Sequence, residues 1–411
     1  MELADHLLRT HSDLDPKLAR TALLIMGHGQ FELGQFAAAE AWYRQLLALP
    51  DVGESNAPIE EKLLAAIYKQ AEAAEAAGAV DEAVNHYLRI AQQAPGSELA
   101  AKGHFDAVAA IEGQGRWAEA ATLLADFRAT YAGNALLVDA PKRLADLYEK
   151  AGDVGMAATE LRGIAGTDKD PEIRRQALYR AGEMYLEIDK LSEAIAAFTD
   201  YANTYPNPVE LSLEAMQHLD LLYQRIQSDR DRRVWLARKV ELADRQGGAA
   251  TDRMKFLAAE AQYVFATDAR VEFDAIALTN PLKKSLQQKT AALKKTVAAY
   301  EKVSGYGVAQ FATAANFQIA DLYAALSHSV LESARPAGLS DLELEQYEIL
   351  LEEQAFPFEE QAIALHEINA QRSWTGIYDE WVQKSFSALK TLNPGRFDRE
   401  EVEVTYVHSI Y

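Results

Sequence analysis

The chain has 411 residues, 49% of them hydrophobic, with 41 Lys plus Arg against 62 Asp plus Glu, a formal balance of −21. That charge repels nucleic acid and anionic lipid at long range and argues against a nucleic-acid function. Cysteine is absent, which excludes a disulfide frame, a thiol nucleophile and thiolate metal ligation, and no stretch reaches the length of about 18 apolar residues that a membrane span needs.

At the start, Leu3, Leu7 and Leu8 followed by His11, Ser12 and Asp13 read as the second helix of a hairpin whose first helix is missing. Residues 1–19 are therefore expected either to begin part-way through a longer repeat protein or to form one capping helix, since solenoids close their ends with atypical polar caps. A basic region followed by an apolar one is lacking here, so no signal peptide is read in the sequence as given.

From residue 20 to 207 a single pattern returns five times. The anchors are Gly34, Gly78, Gly115, Gly152 and Asp189, separated by 44, 37, 37 and 37 residues, a period that predicts stacked helical units. After each turn the apolar residues fall at helical spacing: Trp117, Ala120, Leu124 and Phe127 in the third copy, Leu191, Ala194, Phe198 and Tyr201 in the fifth. Ala83, Ala120, Ala157 and Ala194 share one place, where a small residue lets two helices approach closely. Before each turn, Gly27, Ala71, Val108, Ala145 and Gly182 stand in register on a first helix.

With Leu-Tyr-Arg-Ala-Gly-Glu-Met-Tyr at residues 178–185, then Ala194, Phe198 and Pro206, and Pro95 in the corresponding place of the second copy, the pattern resembles the tetratricopeptide repeat over about residues 20–206. The resemblance implies an all-α, right-handed solenoid of helical hairpins whose leading helices line a concave wall. On those helices the fifth place holds Tyr68, Phe105, Lys142 and Tyr179, the ninth Glu72, Ala109, Asp146 and Glu183, and the twelfth Glu75, Glu112 and Glu149. Rings beside carboxylates suit an extended peptide rich in lysine, arginine or proline, each ring contributing roughly 0.5–2 kcal/mol to a cation. The same residues also read as an acidic, solvated surface with rings packed against the next repeat.

Beyond residue 208 the period fades while helical spacing continues. Leu211, Met216, Leu219, Leu222 and Ile226 predict one helix, and Val234, Leu236, Val240 and Leu242 a second. The basic run Arg225, Arg230, Arg232, Arg233, Arg238 and Lys239 reads as a solvated helix face. A longer helix through Leu282, Leu286, Leu293, Val297, Tyr300 and Val303 is entered at Asn280-Pro281 and ended by Gly305 and Gly307; Phe311 to Leu331 follows as a buried helix. Residues 208–338 are thus degenerate or lengthened helical pairs. Val271, Phe273 and Ala275 alternate with polar residues and predict a short strand, as do Val402, Val404, Tyr406 and Ser409 less cleanly, the last ten residues being otherwise a tail.

Residues 339–411 form an acidic helical end: Ser340 to Glu403 holds 15 acidic and 5 basic side chains. Ser340 and Glu343 spell a capping box, and Phe356-Pro357-Phe358 is expected to separate two helices. Glu352, Glu353, Glu359 and Glu360 with His366 and Glu367 are the best catalytic candidates, but the residue three before His366 is Ile363, so the spacing of a dimetal site fails. No enzyme, cofactor or metal site is expected.

The wording Gly-Leu-Ser-Asp-Leu-Glu-Leu-Glu from residue 339, through Ala-Phe-Pro-Phe-Glu-Glu-Gln and Leu-His-Glu-Ile-Asn to Gly-Ile-Tyr-Asp-Glu-Trp-Val, resembles large repeat proteins of Gram-negative bacteria encoded beside TonB, ExbB and ExbD proteins. This resemblance implies a periplasmic location, with cytoplasm as the alternative, and a non-enzymatic scaffold serving a TonB-type envelope system. TonB-type proteins carry an extended, proline- and lysine-rich segment, the ligand class that the acidic aromatic wall would suit. The alternative is a structural or assembly factor for an outer-membrane or peptidoglycan-associated complex.

Overall fold

The computed structural model describes residues 1–10, 14–50, 53 and 55–398. Among them every regular element is helical. A short α1 (Glu2–Thr10) precedes the hairpins α2/α3 (Pro16–Glu32, Phe36–Leu47), α4/α5 (Ala57–Ala76, Val80–Gln93), α6/α7 (Glu98–Gly113, Trp117–Thr130), α8/α9 (Ala140–Ala151, Val154–Thr167) and α10/α11 (Pro171–Glu187, Leu191–Thr204). Then come α12/α13 (Val209–Arg225, Asp229–Asp244), α14/α15 (Asp252–Asp274, Leu282–Gly305), α16/α17 (Ala309–Leu331, Asp341–Gln371), α18 (Glu380–Leu392) and α19 (Pro394–Phe397). The helices form two compact units, Met1–Ala197 and Phe198–Tyr411, whose boundary falls within α11.

The repeat register is written in the backbone. Gly34, Gly78, Gly115 and Gly152 all have φ between 71° and 79°, and Asp189 joins them at 61°. This left-handed conformation ends one helix and launches the next, and glycine adopts it without steric cost. Five residues on, Ala39, Ala83, Ala120, Ala157 and Ala194 are all 0% exposed. Seven residues before the first turn, Gly27 has no room for a side chain: a Cβ would stand 2.5 Å from the ring of fully buried Tyr43. In the first unit a continuous apolar core runs from Leu23 through Ile67, Val108 and Phe127 to Leu147.

A sixth copy follows, which the apolar pattern conceals. Gln227, 38 residues after Asp189, also has positive φ (57°) and joins α12 to α13. Where the other five copies place Gly, Ala or Val seven residues before the turn, this one has Asp220; where they place Ala five residues after it, Arg232; and where they place Leu46, Ile90, Phe127, Ile164 and Tyr201, Lys239. Arg232 Nε lies 2.6 Å from Asp220. Lys239, fully buried, sits 3.3 Å from Asp220 and 3.6 Å from Glu260, and donates to the Gln217 side chain. Burial pushes its ammonium pKa down. Lys239 is therefore an interior group and Arg232 a half-buried one, and both hold the hairpin by charge rather than forming part of a solvated face.

Two further expectations are corrected. Val271, Phe273 and Ala275 form no strand; α14 runs to Asp274 and Ala275 caps it. Ala266, Ala269 and Phe273, three and four residues apart, carry the buried stripe while Val271 is 63% exposed, so helical spacing prevails over the local alternation. Pro357 does not divide two helices: α17 continues through it. Leu351, Ala355, Ala362 and His366 keep one buried face across the proline, and that packing offsets the roughly 3 kcal/mol that an interior proline costs. The capping box of Ser340 with Glu343 is present as expected. The strand expected at Val402 to Ser409 and the residues His11 to Asp13 lie outside the described residues.

Candidate functional site

The leading helices of the first unit carry the ten residues singled out by the sequence, and the structure brings six of them together in two clusters. An open concavity of about 450 Å³ is lined by Tyr68, Glu72 and Glu75 of α4 with Tyr87 of α5 and Asp106 and Ala109 of α6. Another of about 370 Å³ is lined by Lys142, Asp146 and Glu149 of α8 with Leu161, Ile164 and Arg180. Phe105, Glu112, Tyr179 and Glu183 line neither.

The rings at the fifth place serve first as fasteners between hairpins. Tyr68 is 9% exposed, meets Tyr87 edge-on at 5.3 Å between centroids, and donates a 2.5 Å hydrogen bond to Asp106. Lys102 of α6 stands over its face at 4.3 Å and donates to its hydroxyl. One hairpin on, Arg143 of α8 lies 4.9 Å from the centre of half-buried Phe105. In both pairs the following hairpin supplies the cation, so these ring faces are already engaged within the protein. Tyr179 is half-buried on α10.

Most of the carboxylates are paired too. Glu72 meets Lys69 at 2.6 Å, Asp146 meets Lys150 at 2.6 Å, and Lys142 meets Asp168 at 2.8 Å. Glu112 accepts from Arg143 at 2.5 Å and Glu149 from Arg180 at 2.7 Å, while Glu183 is 3.4 Å from the same Arg180. Glu75 differs: its partner is the Tyr87 hydroxyl at 2.9 Å, and no cation pairs with it among the described residues. Burial, then this bond to a carboxylate, raise the Tyr87 pKa. Tyr87, Asp106, Arg143 and Arg180 did not stand out in the sequence, although their repeat positions could have identified them.

Residues 65–97 and 176–208 match the family model described as tetratricopeptide repeat. Those two segments are tetratricopeptide repeats. Its hairpins are similar to those of a tetratricopeptide repeat protein from Parabacteroides merdae (12% identity, 70% of this chain and 98% of that one, TM-score 0.26). They are similar also to the C-terminal part of a TPR repeat-containing protein from Cytophaga hutchinsonii (14%, 66% and 93%, 0.29). The TPR2AB domain of yeast Sti1 in complex with pHSP90 gives 15% identity over 65% of this chain and 99% of that one, with a TM-score of 0.22. A search of curated proteins finds no match. No catalytic family is indicated, and none of these likenesses bears on a particular ligand.

The carboxylate and histidine candidates of this repeat protein's acidic end do not converge. His366 is 1% exposed, its Nδ1 3.2 Å from the Ser385 hydroxyl, and burial lowers its pKa to about 4. Asn369 donates to the same hydroxyl at 3.1 Å and to the Thr313 carbonyl at 2.9 Å. This buried network joins α16, α17 and α18, whereas Glu352, Glu353 and Glu360 are exposed to solvent. Among the described residues no group of three or more His, Cys, Asp or Glu is placed to hold a metal ion.

Proposed function

We infer that the chain, which carries tetratricopeptide repeats, is a protein–protein interaction scaffold. We propose that its partner is an extended, basic and proline-rich peptide received along the leading helices of the first unit, and that the protein is an accessory of a TonB-type envelope system in the periplasm. The observation that carries the peptide reading is the open concavity where Tyr68, Glu72, Glu75, Tyr87 and Asp106 meet, three carboxylates and two tyrosines on one wall. The compartment and the TonB-type partner rest on the resemblance of residues 339–384 alone. Cell fractionation tests the compartment, and recovery of the protein with cytoplasmic markers removes it.

The peptide reading is tested by fluorescence anisotropy with a labelled peptide of alternating lysine and proline. Affinity should be in the micromolar range and fall at least several-fold between low and high salt, because exposed charges are screened within about 8–10 Å at physiological ionic strength. Affinity that ignores salt refutes the electrostatic basis, and absence of binding refutes the reading.

A second reading, a structural or assembly factor for an outer-membrane or peptidoglycan-associated complex, is favoured by one surface. On α17, Leu342, Ile349 and Phe356 recur every seven residues and are 65%, 50% and 57% exposed, beside Glu345, Glu352, Glu353 and Glu360. Cross-linking in cells from this helix, compared with cross-linking from α4 and α6, distinguishes the two readings.

A further inference from the structure

The first unit contains a ladder of carboxylate–guanidinium pairs with one rung left open. Three residues before the turns of the second to fourth copies stand Glu75, Glu112 and Glu149; nine before the turns of the second to fifth copies stand Lys69, Asp106, Arg143 and Arg180. Arg143 reaches back 31 residues to Glu112 and Arg180 reaches back 31 to Glu149, at 2.5 and 2.7 Å. The same step from Glu75 arrives at Asp106, a carboxylate where both later copies supply an arginine. Glu75 is left with a neutral hydroxyl as its partner, and Asp106 has Lys102 at 3.1 Å from its own helix. The space between them is not filled: it is the concavity of about 450 Å³, walled by Glu72, Glu75, Asp106 and two tyrosines.

We propose that this open rung is a pocket for one arginine side chain of the bound peptide. The inference rests on the peptide reading above and names the residue type the peptide must present. The chain itself supplies the template, since the equivalent glutamates each hold a guanidinium. A planar group with several donors can satisfy separate carboxylates at once, which a point charge does less well. The three acids are not grouped to hold a metal ion.

The probe is a fluorescein-labelled, proline-rich nonapeptide with one central arginine, compared with its citrulline counterpart, which keeps the shape and loses the charge. The arginine peptide should bind about tenfold more tightly, the scale of one buried charge-assisted hydrogen bond. Asp106→Arg supplies the missing rung from within and should abolish the preference for arginine; because it also removes the acceptor of Tyr68 and the partner of Lys102, its thermal midpoint is measured beside its binding. Glu75→Gln should reduce the preference about as much without filling the pocket, and it carries the test if Asp106→Arg does not fold. An arginine preference that survives undiminished in both variants overturns the pocket while the peptide reading stands. If neither this peptide nor a lysine–proline peptide binds the parent protein, both are overturned.

Discussion

Single residues fix where each hairpin turns. Gly34, Gly78, Gly115 and Gly152 adopt positive φ freely, and Asp189 does so as a short polar residue that tolerates the conformation. Gln227 has no such allowance. Replacing it with glycine should therefore raise stability by about 0.5–1 kcal/mol, the relief of left-handed strain less the entropy that glycine loses on folding. Urea denaturation measures this, and a lower midpoint would mean that Gln227 makes compensating contacts. The first five turns were legible because glycine and aspartate advertise them. Gln227 was not, since nothing in a glutamine signals a turn. Asp106 is inconspicuous for a related reason: an acid at the place held by Lys69, Arg143 and Arg180 stands out only against those equivalents in the other copies.

At the scale of elements, helical spacing recovers the ten repeat helices and α12, α13, α15 and α16, and fails where burial or charge does the selecting. The alternation at Val271 to Ala275 covers too few residues to outweigh the stripe of Ala266, Ala269 and Phe273. Pro357 is a strong local signal, yet a buried face that continues past it holds the helix together. The sixth hairpin reads in the sequence only as a degenerate helical pair, outside the repeat register, because Asp220, Arg232 and Lys239 replace the small and apolar residues that define the others. Asp220→Ala alone should destabilise by about 3–5 kcal/mol, since it leaves Lys239 buried without its nearest carboxylate. Adding Arg232→Ala and Lys239→Ile restores the residue types of the other copies and should recover most of that loss. Chemical denaturation of both variants checks this; a triple variant as weak as the single one would show that the ions contribute more than a substitute for packing.

For the whole molecule, composition set the class and left the ligand open. A balance of −21 favours basic partners without saying where they dock. Repeat spacing placed Tyr68, Glu72 and Glu75 together on one wall, while only the folded structure shows that Lys102 and Arg143 already cover two of the rings and that most acids are paired. Charge that is compensated within the chain attracts a partner less, and Glu75 has no cation paired with it among the described residues, so the proposed contact surface narrows from a long trough to the stretch around Glu75. Hydrogen–deuterium exchange of the full chain, with and without saturating lysine–proline peptide, tests this most directly. The account predicts added protection in residues 64–76 and 102–113 with none in 341–371; protection confined to 341–371, or none anywhere, would contradict it.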